Sequence, residues 1–348
     1  MAKRKFEFNP SAVHDHLIKT TPRELAFDGG DVKTWQRKLR AKVRQMTGFD
    51  RMPAGKERCD LNVRSIWKQD HKYGTIERIV FTSEDHADVP AYICLPKNAE
   101  APYDWFVCVQ GHSTGMHNSI GVDFETNMKK VKTAVDRDFA ISTMKNGYAA
   151  LCIEQRGFGE RHWKWGTKDV IGSDDQAAMH ALMFGRTLVG ERVFDVDRGI
   201  DYLLTRNDVN TKRIGLMGNS GGGTITTFGA ALLKRLAFAM PSCYFCSFEH
   251  SVMAMPHCGC NFIPGILSVA EMSDVLGLFA PNPVVVVCGK TDPIFPVHAT
   301  RREFRKLQTI YAAAGAPDNC KLVVGPGDHR FYADLSWPKM NKLADHTV

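Results

Sequence analysis

Beyond residue 72 the chain repeats one pattern, a short apolar run followed by an interval long enough for a helix. Runs at 105–110, 148–154, 214–217, 236–240, 284–288 and 322–324 are dominated by Val, Leu, Ile, Phe, Ala, Met and Cys. Such runs mark strands covered on both faces rather than half-exposed ones, which alternate. Two earlier runs, 73–81 and 89–95, are joined by a polar turn at 83–88 and read as a pair of strands. Between the later runs, Leu188, Val193, Val196, Ile200 and Leu203 recur near helical spacing, and 300–314 reads as a helix stopped by Gly315 and Pro317. Strands alternating with helices predict an α/β fold with a mostly parallel central sheet and helices on both faces.

Residues 1–72 follow another rule. Val32, Trp35, Leu39, Val43 and Met46 repeat at helical spacing while Lys33, Arg37, Lys38, Arg40, Lys42 and Arg44 take the other faces, which predicts one amphipathic basic helix. The predicted organisation is a basic helical N-terminal extension over 1–72 that packs on the core, then a catalytic domain over 73–348. Two irregular stretches near 155–186 and 245–280 are expected to form pocket walls, since long irregular connections in compact domains usually carry function.

Charge and composition narrow the classes. The formal charge is +7, and residues 1–72 hold 17 basic against 9 acidic side chains, so the remainder is close to neutral. The basic helix lacks the aromatic interleaving and tandem motifs of nucleic-acid modules, and its Trp35 stripe is expected to dock on the core; no nucleic-acid partner is expected. No run approaches the ~18 consecutive apolar residues of a membrane span, so no membrane partner is expected either. The start, Met-Ala-Lys-Arg-Lys-Phe-Glu, has no apolar run behind it. Five of the ten cysteines, Cys94, Cys108, Cys152, Cys288 and Cys320, lie in or beside strand-like runs as small core residues, which suits a reducing, cytoplasmic compartment. Cys243-x-x-Cys246 and Cys258-x-Cys260, near His250 and His257, have thiolate spacings. Cys-x-Cys is not the usual second half of a zinc knuckle, however, and no metal or other cofactor is expected.

The chemistry concentrates at Gly218-Asn219-Ser220-Gly221-Gly222, a G-x-S-x-G sequence with a strand before it and a helix-compatible segment after it. A serine on such a turn sits in unfavourable backbone angles, and side-chain-free neighbours let the turn close. Neither G-x-x-x-x-G-K-[ST] nor G-x-G-x-x-G occurs there, which sets aside a phosphate cradle. A serine hydroxyl needs a base, and the base an orienting acid. Asp292 follows the 284–288 run, 72 residues after Ser220, and His329 follows the last run, 37 residues further on. Ser, Asp, His is the chain order of α/β-hydrolase triads, and strand carboxyl ends are where open α/β sheets bind ligands. Asp328 is a rival orienter, disfavoured because a sequence neighbour points elsewhere along an extended loop. Two N–H donors should face the oxyanion: the backbone of Gly221, and that of His112 (or Ser113) in the loop Gln110-Gly-His-Ser-Thr-Gly115.

These segments, with Glu154-Gln-Arg156-Gly-Phe-Gly-Glu160-Arg, Cys260-Asn-Phe-Ile-Pro-Gly265, Gly289-Lys-Thr-Asp292-Pro-Ile-Phe-Pro and Gly-Asp-His329-Arg-Phe, resemble the acetyl-xylan-esterase-like and dienelactone-hydrolase-like branch of the α/β-hydrolases over about residues 73–335. The resemblance implies the α/β-hydrolase fold and hydrolysis of small carboxylic esters, often acetyl groups on sugars. It also implies a Ser-Asp-His triad without a metal, with roles falling on Ser220, Asp292, His329, Gly221 and His112. Secreted members of that branch carry Arg-Gly-Gln-Gly where this chain has Arg156-Gly-Phe-Gly, Gln in place of Gly221, and Glu in place of Arg330. Trp163, Trp165, Phe262, Phe295 and Phe331 are expected to wall the acyl or alcohol pocket, and Arg156 or Glu160 to meet a polar leaving group. The expected partner is a small-molecule ester, and a homo-oligomer is compatible with the sequence. Two other readings stand beside this one: a serine peptidase of the prolyl-oligopeptidase kind, for which 1–72 is too short to form a propeller, and a non-catalytic binding protein on the same fold.

Overall fold

The computed structural model of the chain describes residues 6–113, 115–162 and 173–347. Among these residues nine strands form a single sheet in the order β1-β2-β3-β5-β4-β6-β7-β8-β9. The strands are β1 Arg64–His71, β2 Gly74–Glu84, β3 Ala87–Pro96, β4 Tyr103–Val109, β5 Ala149–Ile153, β6 Val209–Asn219, β7 Phe238–Ser242, β8 Val284–Gly289 and β9 Cys320–Gly325. β1, β2 and β3 form an antiparallel meander, and β3 meets β5 antiparallel; from β5 through β4 to β9 every pairing is parallel. Each apolar run of the sequence falls on a strand. β6 begins five residues before its run because Asn210 to Arg213 are polar and partly exposed, yet extend the same strand.

The helices are α1 Ser11–Thr20, α2 Val32–Thr47, α3 Phe139–Lys145, α4 Ser173–Met183, α5 Leu188–Leu204, α6 Gly221–Leu232, α7 Met272–Gly277, α8 Val297–Ala313 and α9 Ala333–Leu343. Strand periodicity divides the core between them. Val107 and Val109 point to the side covered by α2, α5, α6, α7 and α8, whereas Phe106 and Cys108 point to the side covered by α3 and α9. The extension ends differently from its helical expectation. β1 lies inside 1–72, on the sheet edge, with most positions exposed, so no apolar run marks it. The stretch 245–280 is not wholly irregular either, since it holds α7 and short 3-10 turns.

The basic helix α2 docks as its stripe requires. Trp35, Leu39 and Val43 are buried against α5, α6 and α7, and the Trp35 Nε1–H donates to the Leu25 carbonyl at 2.8 Å. Burying each such side chain contributes about 2 kcal/mol. Part of the positive face is used inward as well: Arg40 Nε donates to the Ala231 carbonyl at 2.8 Å, and its other arm reaches the Leu278 carbonyl. These carbonyls end α6 and follow α7, where unpaired acceptors and the helix dipole favour a cation.

Candidate active site

The parallel strands end together, and the loops leaving β4, β6, β8 and β9 carry the candidate chemistry. After Asn219 the chain turns sharply: Ser220 has φ 58° and ψ −121°, a conformation rarely tolerated by a residue with a side chain, and α6 begins at the next residue. The turn is held by Ser220 N donating to the Ser242 carbonyl at 2.9 Å and by Thr224 N donating to the Ser220 carbonyl at 2.9 Å. It closes because its neighbours lack side chains. A Cβ on Gly222 would stand 2.1 Å from the Val109 carbonyl oxygen. The first-turn amides of α6, Gly221 among them, have no acceptor inside the helix and are positioned to meet negative charge.

Asp292 lies beyond β8, buried. Its Oδ1 accepts from the amides of Ile294 at 2.9 Å and Phe295 at 3.1 Å, and its Oδ2 lies 2.8 Å from His329 Nδ1. Burial alone would raise its carboxyl, but the hydrogen bond and charge of His329 and the two amides outweigh it and hold it below the usual carboxylate range. Asp328 does not take this place, since the carboxylate at His329 Nδ1 is that of Asp292. The His329 ring stacks on Phe295, centroids 5.9 Å apart. Its Nε2 is buried and has no hydrogen-bond partner among the described residues. The structure therefore joins the acid and the base, and leaves the hydrogen bond from Ser220 to His329 unformed. Catalytic hydrogen bonds commonly tighten only once substrate is present.

The β4 loop lies against the elbow. A Cβ on Gly111 would be 2.4 Å from the Asn219 carbonyl and 2.7 Å from Ser220 Cβ, and the His112 ring covers Gly221. Ser113 is occupied within its own loop, its hydroxyl donating to the Gly111 carbonyl at 3.3 Å. The His112 side chain has its own partners: Nε2 lies 3.0 Å from Asp174 Oδ2, and the ring meets Phe158 edge-on at 4.7 Å. Burial would lower this imidazole, but Asp174 and Cys260 outweigh it and push it up to about 9, while His112 and Arg192 hold Asp174 far below its ordinary value.

The remaining expected residues are scattered. Arg156 does not face a leaving group: its guanidinium pairs with Asp195 at 3.0 Å, Glu84 at 3.2 Å and Glu191 at 3.4 Å. Arg161 joins the same Asp195 at 2.6 Å, so the 155–162 loop is anchored by buried charge. Glu160 pairs with Arg78 at 2.5 Å and accepts from Asn127 at 3.4 Å. Phe295 packs between Tyr244 and His329, within the site. Phe331 is core, edge-on to Phe139 and Trp337. Phe262 is exposed and lines a hollow of about 120 Å³ with Phe248, Val252 and Ile266. Trp163 and Trp165 lie outside the described residues. A larger hollow of about 660 Å³ at the β1–β2 edge contains none of these side chains.

Four residues of the site were not legible beforehand. Gly111 allows the β4 loop to touch the elbow. Arg192, fully buried, donates to the Arg156 carbonyl at 2.9 Å, pairs with Asp174 at 3.2 Å and lies 4.2 Å over the Phe158 ring. Asp174 is placed beside His112 by the start of α4. Cys243 lies beside both Asp292 and His329, its thiol donating to the Arg330 carbonyl at 3.2 Å; burial, then the Asp292 charge, push it well above the usual thiol range, so it is a neutral donor. Cys243 is thereby separated from Cys246, whose thiol faces the Pro296 carbonyl. The candidate metal ligands of the sequence do not assemble as one group: Cys258 and Cys260 join His112 instead, and His250 pairs with Ser247 and Glu249.

Comparison with known proteins agrees with this architecture. The chain is 24% identical to "Putative hydrolase YtaP" of Bacillus subtilis (strain 168) over 278 residues, 78% of this chain and 88% of that one. Its fold is similar to that of a "putative acetyl xylan esterase" from Bacteroides fragilis, with a TM-score of 0.76 and 17% identity over 97% of this chain and 86% of that one. A glucuronoyl esterase from Solibacter usitatus aligns with a TM-score of 0.65 and 16% identity, covering 94% and 97%. At these identities the structures speak for the fold alone. The decisive match is to a family model that runs from residue 9 to residue 345, and by it the chain belongs to the Abhydrolase family.

Proposed function

We propose that this chain is a serine hydrolase of small carboxylic esters that works through an acyl-enzyme, with Ser220 as nucleophile, His329 as base and Asp292 as orienter. The observation that carries the reading is the strained Ser220 at the head of α6, with a buried Asp292 paired at 2.8 Å to a partly exposed His329 among the neighbouring strand ends. Asp292 holds the Nδ1 proton of His329, so Nε2 is left as the acceptor. In the proposed reaction Ser220 Oγ attacks the ester carbonyl as its proton passes to Nε2, and the Gly221 and His112 amides meet the developing oxyanion. His329 then protonates the departing alkoxide. Water attacks the acyl-enzyme by the same route in reverse, releasing the acid. An acetyl-type ester, on a carbohydrate alcohol or a simpler one, is the proposed substrate class; the name of the acetyl xylan esterase of like fold supports it.

The test is a fluorophosphonate probe together with p-nitrophenyl acetate turnover. The wild type should be labelled on Ser220 and hydrolyse the ester. Ser220→Ala should lose the label and at least about 10³-fold in kcat. Undiminished turnover in Ser220→Ala would overturn the assignment. Peptide turnover exceeding ester turnover would favour a peptidase.

A further inference from the structure

Beside the nucleophile the described residues hold a second convergent cluster. His112, Cys258 and Cys260 each offer one ligand atom, all within 4.8 Å of one another. His112 Nε2 lies 3.8 Å from Cys260 Sγ and 3.0 Å from Asp174 Oδ2, and the Cys258 sulfur is 3.7 Å from the other ring nitrogen. Around a tetrahedral zinc ion, with Zn–S of about 2.3 Å and Zn–N or Zn–O of about 2.0–2.1 Å, neighbouring donors stand about 3.3–3.8 Å apart. We propose that His112, Cys258 and Cys260 form a zinc site, with Asp174 holding the His112 ring from behind, that binds the β4 loop to the 258–260 turn and sets both against the start of α4.

Three further observations point to a cation here. Asp174 is 1% exposed and lies 3.0 Å from His112 Nε2. A buried carboxylate on one ring nitrogen fixes the imidazole and raises the basicity of the other, as behind metal-bound histidines. The Asn261 side-chain NH2 lies 2.9 Å from His257 Nδ1 and also faces the sulfurs, 3.2 Å from Cys258 and 3.6 Å from Cys260, and it is oriented by Thr224 donating to Asn261 Oδ1 at 2.8 Å. N–H donors aimed at sulfur stabilise thiolates, the form in which cysteine binds metal. The charges also close: two thiolates, the Asp174 carboxylate and a neutral imidazole against Zn²⁺ and the buried Arg192 guanidinium sum to zero, with the two thiol protons and the proton of the His112 imidazolium leaving to solvent. Two sulfurs and one nitrogen take three positions of the tetrahedron and leave the fourth to water; the proposed ester chemistry does not run through the ion. Its consequence for catalysis rests on the esterase reading, since the ion would fix the loop whose His112 amide is the proposed oxyanion donor.

The test uses the full chain, fully reduced, with Co²⁺ and Zn²⁺ as probes. The wild type should take up one Co²⁺ per chain with sulfur-to-cobalt charge transfer and the intense visible bands of a tetrahedral site, and Zn²⁺ should displace it. In the same protein Zn²⁺ should protect Cys258 and Cys260 from alkylation while leaving the exposure of Cys59 unchanged, a reading that needs no variant to fold. Cys258→Ser with Cys260→Ser should lose the charge-transfer bands, Asp174→Asn should weaken uptake at least about tenfold, and Cys246→Ser should behave as the wild type. Ser220→Ala should bind metal normally, which separates this proposal from the esterase assignment. No tetrahedral cobalt spectrum in the wild type, no protection of Cys258 and Cys260, or equal uptake by the double serine variant would each overturn it.

Discussion

Asp292 Oδ2 lies 2.8 Å from His329 Nδ1, and the other oxygen of the same carboxylate is held by two backbone amides. The acid therefore cannot turn away from the base without breaking three hydrogen bonds. Asp292→Asn preserves the shape but presents an amide that can donate to Nδ1, stabilising the tautomer in which Nε2 carries the proton and cannot accept one from Ser220. The expected result is a fall in kcat of about 10⁴ with little change in KM, read from steady-state kinetics on p-nitrophenyl acetate. A loss below tenfold would show that another group orients His329.

Gly111 touches the backbone of the turn that carries Ser220, the proposed nucleophile. A Cβ there would stand 2.4 Å from the Asn219 carbonyl and 2.7 Å from Ser220 Cβ, so the β4 loop or the elbow must move apart. Displacing a donor or nucleophile by about 1 Å costs about 10² in rate. Gly111→Ala is accordingly expected to lose about 10²-fold in kcat, with a destabilisation of about 1–3 kcal/mol from the overpacked contact. Urea unfolding beside kinetics separates the two effects; a variant with wild-type kcat would place the loop away from the reaction.

Arg156 gives a contrast between position in sequence and position in space. Its motif lies among the site segments, but its guanidinium faces Asp195, Glu84 and Glu191. Arg156→Met removes one partner of a mostly buried network while Arg161 still holds Asp195, so the expected cost is about 3 kcal/mol of stability. KM for a small ester should stay within about twofold, because the side chain is committed to these carboxylates. A large rise in KM with unchanged stability would return Arg156 to the substrate.

How much was legible follows from what each feature depends on. The strands at 105–110 and 284–288 are apolar because both faces are covered, so their runs stand out; β1, exposed along an edge, has no such run and disappears into the extension. The positions of Ser220, Asp292 and His329 at strand ends, and the meeting of Asp292 with His329, were legible because each residue follows an apolar run. The direction of a side chain within a loop is decided by tertiary partners. Arg156 and Glu160 therefore read from sequence as binding residues, whereas Asp195 and Arg78 hold them in the fold, and Phe331 reads as a pocket wall although Phe139 and Trp337 enclose it. Asp174 and Arg192 lay beyond sequence reasoning altogether, since nothing local ties either to His112 or to Phe158.

Glu154, at the end of β5, offers a test by pH. Both its oxygens lie 3.1 Å from the Met116 amide, and Gly115 and Gly159 leave it room: a Cβ on either would stand 2.4 Å or 2.0 Å from Oε2. Burial, first among the causes, pushes the carboxyl up to about 8, against 4.5 for an ordinary glutamate, with the Met116 amide opposing the shift. The folded chain thus holds a proton that the unfolded chain has already released. Stability from this group is fully present below pH 4.5 and is lost as pH rises from 4.5 to about 8. Within that window one extra bound proton makes unfolding free energy fall by about 1.4 kcal/mol per pH unit. Glu154→Gln, which cannot ionise, should flatten the curve by up to that slope, leaving the smaller contribution of groups such as Glu271, which burial pushes up to about 7. Urea titrations of both proteins between pH 5 and 8 measure the difference; parallel curves would mean that Glu154 is ionised in the folded chain across the whole range.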